Sequence, residues 1–514
     1  MTRTSAAASG RAAAGLAPRS LKALLAGYGV PAPDVEVTGV ETDSRRIAPG
    51  DLFLACLGRG THGLAYLDQA LARGAAALAW EPAPGWAQPQ IEIPEIAVPQ
   101  LSARAGEIAA RFFGMPSQRM FCVGVTGTDG KTSTAYLVAQ ALDRLDLPCA
   151  YIGTIGSGRV GALADSTYTT PDAVSLQRRV AALHADGAQA LAMEVSSHAL
   201  DQSRVAGMHF DVAVLTNITR DHLDYHGTVE AYVAAKRRLF ERPELSAVVL
   251  NRDDAHGAAF ATGLPTRAQR IVYGLDGPVP EGGAWVIGRA LRLTADGIAL
   301  SLDTSWGQAE LHSRLLGRFN AYNLMATLAV LLARGTSLPR AVAALAQVHT
   351  VPGRIESFRG SAGPLVVVDY AHTPEALRQI LTAVRSHVRG RLHCVFGCGG
   401  DRDRGKRPLM GAIAAELADA VIVTDDNPRS EAPSAIVDEI LAGVPDTRRS
   451  VVQVIHDRAE AIRTAVHASA ADDAVVVAGK GHERTQTYGS EVRAFSDREF
   501  VARLLGIPLP GTQA

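Results

Sequence analysis

Phe121-Cys122-Val123-Gly124-Val125-Thr126-Gly127-Thr128-Asp129-Gly130-Lys131-Thr132 is the stretch from which the rest of the chain is read. An apolar run breaks into spaced glycines and closes on a lysine followed by a hydroxyl. The pattern predicts a buried strand ending near Val125, then a turn whose backbone N–H groups curl round an anion. A helix from Lys131 through Leu142 then offers that anion its positive end. In such a phosphate-binding loop Lys131 reaches the terminal phosphates and the Thr132 hydroxyl ligates magnesium. The strict pattern, GxxxxGK followed by Ser or Thr, asks for glycine where this chain has Val125, so the loop is a variant. The bland alternative is a glycine-rich turn that binds nothing, but the strand before it and the helical pattern after it are the context a phosphate loop needs.

The 514 residues are 47% hydrophobic and 20% charged, a globular composition too long for one core, and three α/β domains are expected. A net charge of -1 gives no global basic field, which argues against nucleic acid as a partner. Cys56, Cys122, Cys149, Cys394 and Cys398 are scattered, so neither a disulfide framework nor a four-cysteine metal site is suggested, and a cytoplasmic location is expected. No apolar run approaches the roughly 20 residues that span a bilayer, so no membrane partner is expected. Residues 1–20 are rich in Ala, Ser and Arg with no acid. That superficially suggests a transit peptide, but the composition reads better as a disordered tail.

Working outward, residues 21–115 form a first domain. It holds a helix over 21–28, a half-buried strand over 35–40, a strand over 51–55, a helix over 66–73, an apolar run over 75–80 and a helix over 101–113. The Pro-rich stretch 82–99 reads as an edge connection. Thr42-Asp43-Ser44-Arg45-Arg46 either holds a phosphate or sugar or is a capped surface turn. Residues 116–352 form the central domain. Strands over 149–152, 188–195, 210–215 and 247–250 alternate with helical patterns, the signature of a parallel sheet with crossovers, and 283–312 switches to an antiparallel patch. Residues 353–514 restart the alternation as a Rossmann-like α/β domain, with strands over 365–368, 392–396, 420–424, 451–455 and 474–478.

Polar residues gather at these strand ends, where open α/β sheets bind ligands. Glu194 precedes Ser196-Ser197-His198, and Asn217 leads into Thr219-Arg220-Asp221-His222-Leu223-Asp224-Tyr225-His226. A carboxylate and an imidazole beside a phosphate loop are candidate magnesium ligands; capping acids and satisfied histidines are the alternative. Lys236 sits on the next helix, where a lysine is most often on a solvated face. In the third domain Asp369-Tyr370-Ala371-His372, Gly399-Gly400-Asp401-Arg402, Asp426-Asn427-Pro428-Arg429 and Gly479-Lys480-Gly481-His482-Glu483 end four strands. Together they suit a small zwitterion, with arginine for its carboxylate and acids for its ammonium.

The motifs at 127–132, 193–198, 217–226 and 369–374 resemble, in order, those of the Mur ligase family, ATP-dependent enzymes that add amino acids to a nucleotide-linked peptidoglycan precursor. The resemblance runs from about residue 20 onward. Asp426-Asn427-Pro428-Arg429 with Gly479 to Glu483 is similar to the branch that adds meso-diaminopimelate. The resemblance implies a UDP-sugar-binding first domain, a P-loop ATPase-like central domain and an amino-acid-binding third domain. It implies ATP on Gly127, Thr128, Asp129, Gly130, Lys131, Thr132 and Ser133, with Asn320, Arg354 and Asp369 as further nucleotide contacts. Magnesium falls near Thr132, Glu194 and His222, joined by Lys236 as an N-carbamate. Lys131, Glu194, His222, Lys236 and Arg354 become the catalytic set. The UDP-muramoyl dipeptide is implied at Thr42, Ser44, Thr169, Thr170, Ser196, Gln202 and Arg204. Diaminopimelate is implied at Arg402, Asp426, Asn427, Pro428, Arg429, Gly479 and Glu483. Asp129 stands where relatives commonly have asparagine, and Tyr168 where some relatives carry it.

The implied reaction is attack of the D-glutamate side carboxylate on the ATP γ-phosphate, then attack of a diaminopimelate amine on the acyl phosphate, with closure of the third domain before chemistry. A monomer acting on small molecules is expected. A folylpolyglutamate-synthase-like ligase and a non-enzymatic nucleotide switch are the alternatives. The first would not be expected to carry a uridine-binding first domain, and the second would bind ATP with no dependence on a second substrate.

Overall fold

Short apolar strands separated by helices dominate both compact units into which the chain divides, Met1–Val272 and Tyr273–Ala514. The computed structural model describes residues 17–58, 60–166, 168–361 and 363–509; residues 1–16 of the expected tail lie outside them. The end of that expected tail is ordered instead, because Arg19–Ser20 pair antiparallel with Glu36–Val37.

In the first unit, Gly39–Glu41, Asp51–Ala55, Ala77–Trp80 and Glu95–Ala97 form a parallel sheet in that spatial order. The period of two is visible in its cores. Leu52, Leu54, Ala77 and Ala79 pack with Leu101, Ile108 and Phe112 of the Leu101–Phe112 helix, while Phe53, Ala55, Leu78 and Trp80 face the other way. The first helix stops at Leu24 rather than residue 28, ahead of Gly27 with φ 84°. The Pro-rich stretch contributes an edge strand, Glu95–Ala97, a position at which neighbouring prolines cost no central ladder bonds.

The second sheet of this unit has five parallel strands in the order Cys149–Gly153, Ala190–Glu194, Phe121–Thr126, Val212–Leu215 and Ala247–Asn251. All five are buried throughout or nearly so, which is why they read as unbroken apolar runs. The chain leaves the central Phe121–Thr126 strand toward one edge and later returns to its other side. The carboxyl end of that strand is therefore the topological switch point. An antiparallel hairpin, Gly156–Arg159 with Ala162–Ala164, extends the first edge and was not expected.

In the second unit the antiparallel patch is a meander of Ala284–Thr294, Gly297–Thr304 and Gly307–Ser313. Helices Arg318–Ala333 and Leu338–Leu345 follow. The six-stranded sheet runs Glu356–Phe358, Leu365–Asp369, Ala474–Ala478, Leu392–Phe396, Ala420–Val423, Val452–Val454, and only the first strand is antiparallel. Val367, Val476 and Phe396 pack with helices on one face, and Val366, Val475 and Val395 with helices on the other. His387 links meander and sheet: Gly317 N–H donates to its Nε2 at 2.7 Å, and its Nδ1 lies 2.7 Å from Thr294 O. The hairpin of Thr485–Tyr488 with Glu491–Ala494 and the helix Asp497–Leu505 are further elements that were not expected.

Candidate active site

The loop after Phe121–Thr126 is held by its neighbours' backbone and short side chains. Gly127 has φ 151°, and a Cβ there would run into Thr216 Oγ1, so only glycine fits. Asn217 Oδ1 accepts from Asp129 N at 3.0 Å, while its Nδ2 and the Thr216 hydroxyl donate to Asp129 O at 3.1 and 2.6 Å. The loop is thus pinned through the main chain of Asp129, whose side chain is exposed, so an acid in place of asparagine leaves this hold intact. Gly130 caps the Lys131–Asp143 helix. Lys131 Nζ donates to Gly127 O and Thr128 O at 3.0 and 2.8 Å, and burial lowers its pKa.

Glu194, the last residue of the neighbouring strand, is 1% exposed. Its carboxylate accepts from Tyr151 OH at 2.5 Å, Thr154 N at 2.8 Å, Thr132 Oγ1 at 2.9 Å and Thr154 Oγ1 at 3.2 Å. This fixes a buried acid beside the first turn of the loop helix, within reach of the predicted Thr132.

Lys236 overturns the expectation of a solvated face, being 1% exposed. Its helix, Val229–Arg237, is capped by Thr228 and turned so that Lys236 Nζ donates to Gly127 O at 2.7 Å and lies 4.4 Å from the Tyr232 ring centre. Burial first, and the nearby Lys131 second, bring its amine down to about 6. Sequence periodicity could not reveal this, because the helix's buried side is defined by what packs on it.

Thr128 to Ser133, Thr169, Thr170, Glu194, Ser196, Arg204, His222 and Lys236 all line one cavity of about 490 Å³ at the switch point. Tyr168, Ser197, His198, Thr154 and Tyr232 also line it, and of these Thr154 and Tyr232 lie outside the motifs read from the sequence. Thr170 donates to Glu194 O at 3.0 Å, and Arg204 donates to Thr170 O at 3.1 Å and to Gln202 Oε1 at 2.9 and 2.6 Å. Gln202 sits behind Arg204 and donates to Tyr225 OH at 2.8 Å. The rings of His198 and His222 are 4.8 Å apart, and His222 is in the left-handed conformation with φ 52°.

Among the described residues no three His, Cys, Asp or Glu side chains converge as a self-sufficient metal site. The donor set nevertheless suits magnesium, which binds through one or two protein oxygens and completes its shell from phosphates and water. Glu194 and Thr132 supply those oxygens, whereas an unmodified Lys236 amine does not.

Thr42 and Ser44 lie in the first sheet's loop and do not line this cavity. Ser44 is buried and donates to Gln69 Oε1 at 2.7 Å, and Thr42 N donates to Glu41 Oε1 at 3.0 Å. Their side of the sheet is fastened to the Ala173–Ala185 helix, with Arg178 donating to Glu41 at 2.8 Å and Arg46 to Ser175 at 3.0 Å.

In the second unit, the parallel register brings the ends of Leu365–Asp369, Ala474–Ala478, Leu392–Phe396 and Ala420–Val423 to one sheet edge. Asp369 accepts from Ile355 N and Ala371 N at 2.8 and 2.7 Å, and Arg354 lies 5.0 Å over the Tyr370 ring. Asn320 is buried, donating to Leu316 O at 2.7 Å and accepting from Asn323 at 2.9 Å. Asp426 and Asn427 are buried, and Asn427 Nδ2 donates to Glu483 Oε2 at 2.9 Å. Gly479, at φ 117°, lets the Asp426 carboxylate lie against the backbone, where a Cβ would stand 2.7 Å from Oδ2. Arg429 donates to Gly400 O at 2.7 Å, while Arg402 is exposed. The unexpected hairpin clamps this turn, with Arg429 N donating to Thr487 O and Gln486 Nε2 reaching Asp425 O and Asp426 O.

Comparison with known proteins gives three matches along the chain: residues 36–113 to "Mur ligase family, catalytic domain", 125–331 to "Mur ligase middle domain" and 353–481 to "Mur ligase, glutamate ligase domain". The UDP-N-acetylmuramoyl-L-alanyl-D-glutamate--2,6-diaminopimelate ligase of Alkalilimnicola ehrlichii is 52% identical over 483 residues, covering 92% of this chain and 96% of that protein. The protein of the same name from Chromobacterium violaceum is 47% identical over 480 residues, covering 92% and 94%. A solved structure of a UDP-N-acetylmuramoyl-L-alanyl-D-glutamate--2,6-diaminopimelate ligase superposes with a TM-score of 0.78 at 35% identity, covering 95% of this chain and 99% of that one.

Proposed function

The chain belongs to the Mur ligase family, with its three-domain α/β architecture, and we propose that it is the ATP-dependent ligase that joins meso-diaminopimelate to UDP-N-acetylmuramoyl-L-alanyl-D-glutamate in peptidoglycan precursor synthesis. We place the domains at 21–115, 116–352 and 353–514. The observation that carries the reading is the single cavity in which a phosphate loop, a buried acid, a buried lysine and the Thr169-Thr170-Arg204 wall meet.

A side-carboxylate oxygen of D-glutamate attacks the γ-phosphorus, the bond to the β-phosphate oxygen breaks, and ADP leaves. The amine nitrogen of diaminopimelate then attacks the acyl carbon, phosphate departs, and the amine gives up its proton. Such transfers depend on positioning and charge. Lys131 turns from its loop carbonyls to the phosphates, and Arg354 adds a second positive charge. Thr170 and Arg204, already joined to the Glu194 strand end, hold the dipeptide carboxylates. Thr132, Glu194, His222 and a carbamate on Lys236 would hold magnesium, which supplies charge neutralisation at the phosphates when bound. The Lys236 amine, with a pKa of about 6, is neutral at cellular pH and free to attack carbon dioxide, losing a proton to become the carbamate. That converts a buried cation into an anion where one is needed. Asp426, Asn427, Arg429 and Glu483 take the ammonium and carboxylate of the acceptor.

The test is phosphate release from ATP in the presence of the muramoyl dipeptide nucleotide with diaminopimelate, lysine or glutamate. Turnover is expected with diaminopimelate alone, and better turnover with lysine would overturn the acceptor assignment. No helix among the described residues is long and apolar enough to cross a membrane. A cytoplasmic, monomeric enzyme is part of the proposal.

A further inference from the structure

Behind the strand-end cluster of the second unit lies a cation to which the proposed chemistry gives no role. Lys480 is fully buried, with 0% exposure, and does not reach the surface that a ligand would touch. Its Nζ donates to Glu483 Oε2 at 2.9 Å and lies 3.4 Å from Asn427 Oδ1. Asn427 is held from both ends, since its Nδ2 donates to the same Glu483 oxygen at 2.9 Å and its Oδ1 accepts from Thr487 N at 3.1 Å. The carboxylate of Glu483 is thus fixed on its inner side by two donors, while its side chain remains 33% exposed outward.

The charges can be counted. Arg458 and Asp497, both fully buried, satisfy each other through paired bonds of 2.7 and 2.8 Å. Asp425 is engaged by His456 at 2.8 Å and by Tyr488 OH at 3.1 Å. The His482 ring of the same turn lies tilted against that of Tyr370, 5.4 Å between centres, and Arg429 is turned to Gly400 O. The Asp425 carboxylate and the Arg429 guanidinium offset each other in the count, which leaves two carboxylates, Asp426 and Glu483, and one ammonium, Lys480. Burial pushes Asp426 up, opposed by Arg458 and Lys480, while Glu483 raises it further. Burial also pushes Glu483 up, but the Lys480 hydrogen bond and charge hold it below the usual carboxylate range.

We propose that Lys480 is the positioning residue of the acceptor pocket: it neutralises one of two adjacent carboxylates, locks Glu483 outward, and leaves one negative charge to receive one substrate ammonium. This rests on reading the cluster as the diaminopimelate site. Without Lys480, Asp426 and Glu483 repel each other with one cation fewer to offset it, which pushes both carboxyls upward and leaves less charge for the acceptor.

The experiment measures the KM values for diaminopimelate, muramoyl dipeptide nucleotide and ATP, and the pH profile of kcat/KM for diaminopimelate, in Lys480→Met, Lys480→Gln and Lys480→Arg. Measuring three substitutions keeps the test alive if the apolar one fails to fold. For Met and Gln the acceptor KM rises about tenfold or more, the expected scale for losing a charged contact. The other two KM values stay within about twofold. The acid limb of the pH profile moves to higher pH, and Lys480→Arg recovers part of the loss. The Lys480→Met/Glu483→Gln double variant is less impaired than the two single losses combined, because the partner of the removed charge is removed with it. Unchanged acceptor KM, a uniform change in all three KM values, or additive losses would overturn the proposal. Asp426→Asn separates the two levels. If it leaves the acceptor KM unchanged, the cluster is not the acceptor site. If it raises that KM while Lys480→Met does not, the acceptor site stands and the role of Lys480 falls.

Discussion

Lys236→Met makes a quantitative test of the buried lysine. The amine falls from an ordinary 10.5 in the unfolded chain to about 6 in the folded one. Between those two values the unfolded chain binds the extra proton, so stability rises with pH across that window and is lower on its acid side. At pH 7 folding strips a proton about 3.5 pH units below the pKa at which the unfolded chain would release it. At 1.36 kcal/mol per unit this costs about 5 kcal/mol. Methionine removes that cost along with one hydrogen bond to Gly127 O, worth about 1 kcal/mol, and that carbonyl still accepts from Lys131. Urea unfolding of carbon-dioxide-free protein should therefore find the variant more stable by about 4 kcal/mol at pH 7, with the difference nearly gone near pH 9.5, about one unit below the unfolded value. Added bicarbonate should stabilise the wild type and leave the variant unmoved, while ligase activity is lost in the variant. A variant no more stable than wild type at pH 7, or a difference that ignores pH, would refute the reasoning.

Gly127→Ala should abolish ATP-dependent phosphate release and lower stability by about 1–3 kcal/mol, read by thermal unfolding, because the φ of 151° and the Thr216 hydroxyl leave no place for a methyl group. Glu194→Gln turns one acceptor oxygen into a donor facing Tyr151, Thr154 or Thr132, and should cost about 1–3 kcal/mol of stability together with most of kcat. Burial holds His387 below its ordinary 6.5, so its contribution is complete above about pH 6.5 and is lost as pH falls through the lower folded value. Protonation also removes the lone pair that accepts from Gly317 N–H, and His387→Gln should flatten the acid limb of a stability-against-pH curve.

The parallel sheets were legible because strands buried on both faces carry unbroken apolar runs, and Cys149–Gly153, Phe121–Thr126 and Leu365–Asp369 fall within a residue or so of where those runs predict. The hairpin at Thr485–Tyr488 and Glu491–Ala494 was not, since its second strand is exposed throughout and has no hydrophobic period to read. Likewise the helix at the first domain's start was overextended, because a propensity pattern does not register where glycine adopts a positive φ.

By itself the sequence determined the glycine-rich loop and the strand-end motifs, since these are local: spaced glycines, a lysine at a helix start, acids where apolar runs stop. It also carried the order of domains and the resemblance to the family. Only the tertiary structure decided which polar groups are buried together. Lys236 and Lys480 are lysines on short polar stretches in the sequence, yet both are sealed from water in the fold. Ser44, read as a contact residue, is turned inward to Gln69. The physical reason is that desolvation depends on every chain segment that packs around a group, and those segments lie tens to hundreds of residues away, such as Gly127 from Lys236 at a separation of 109.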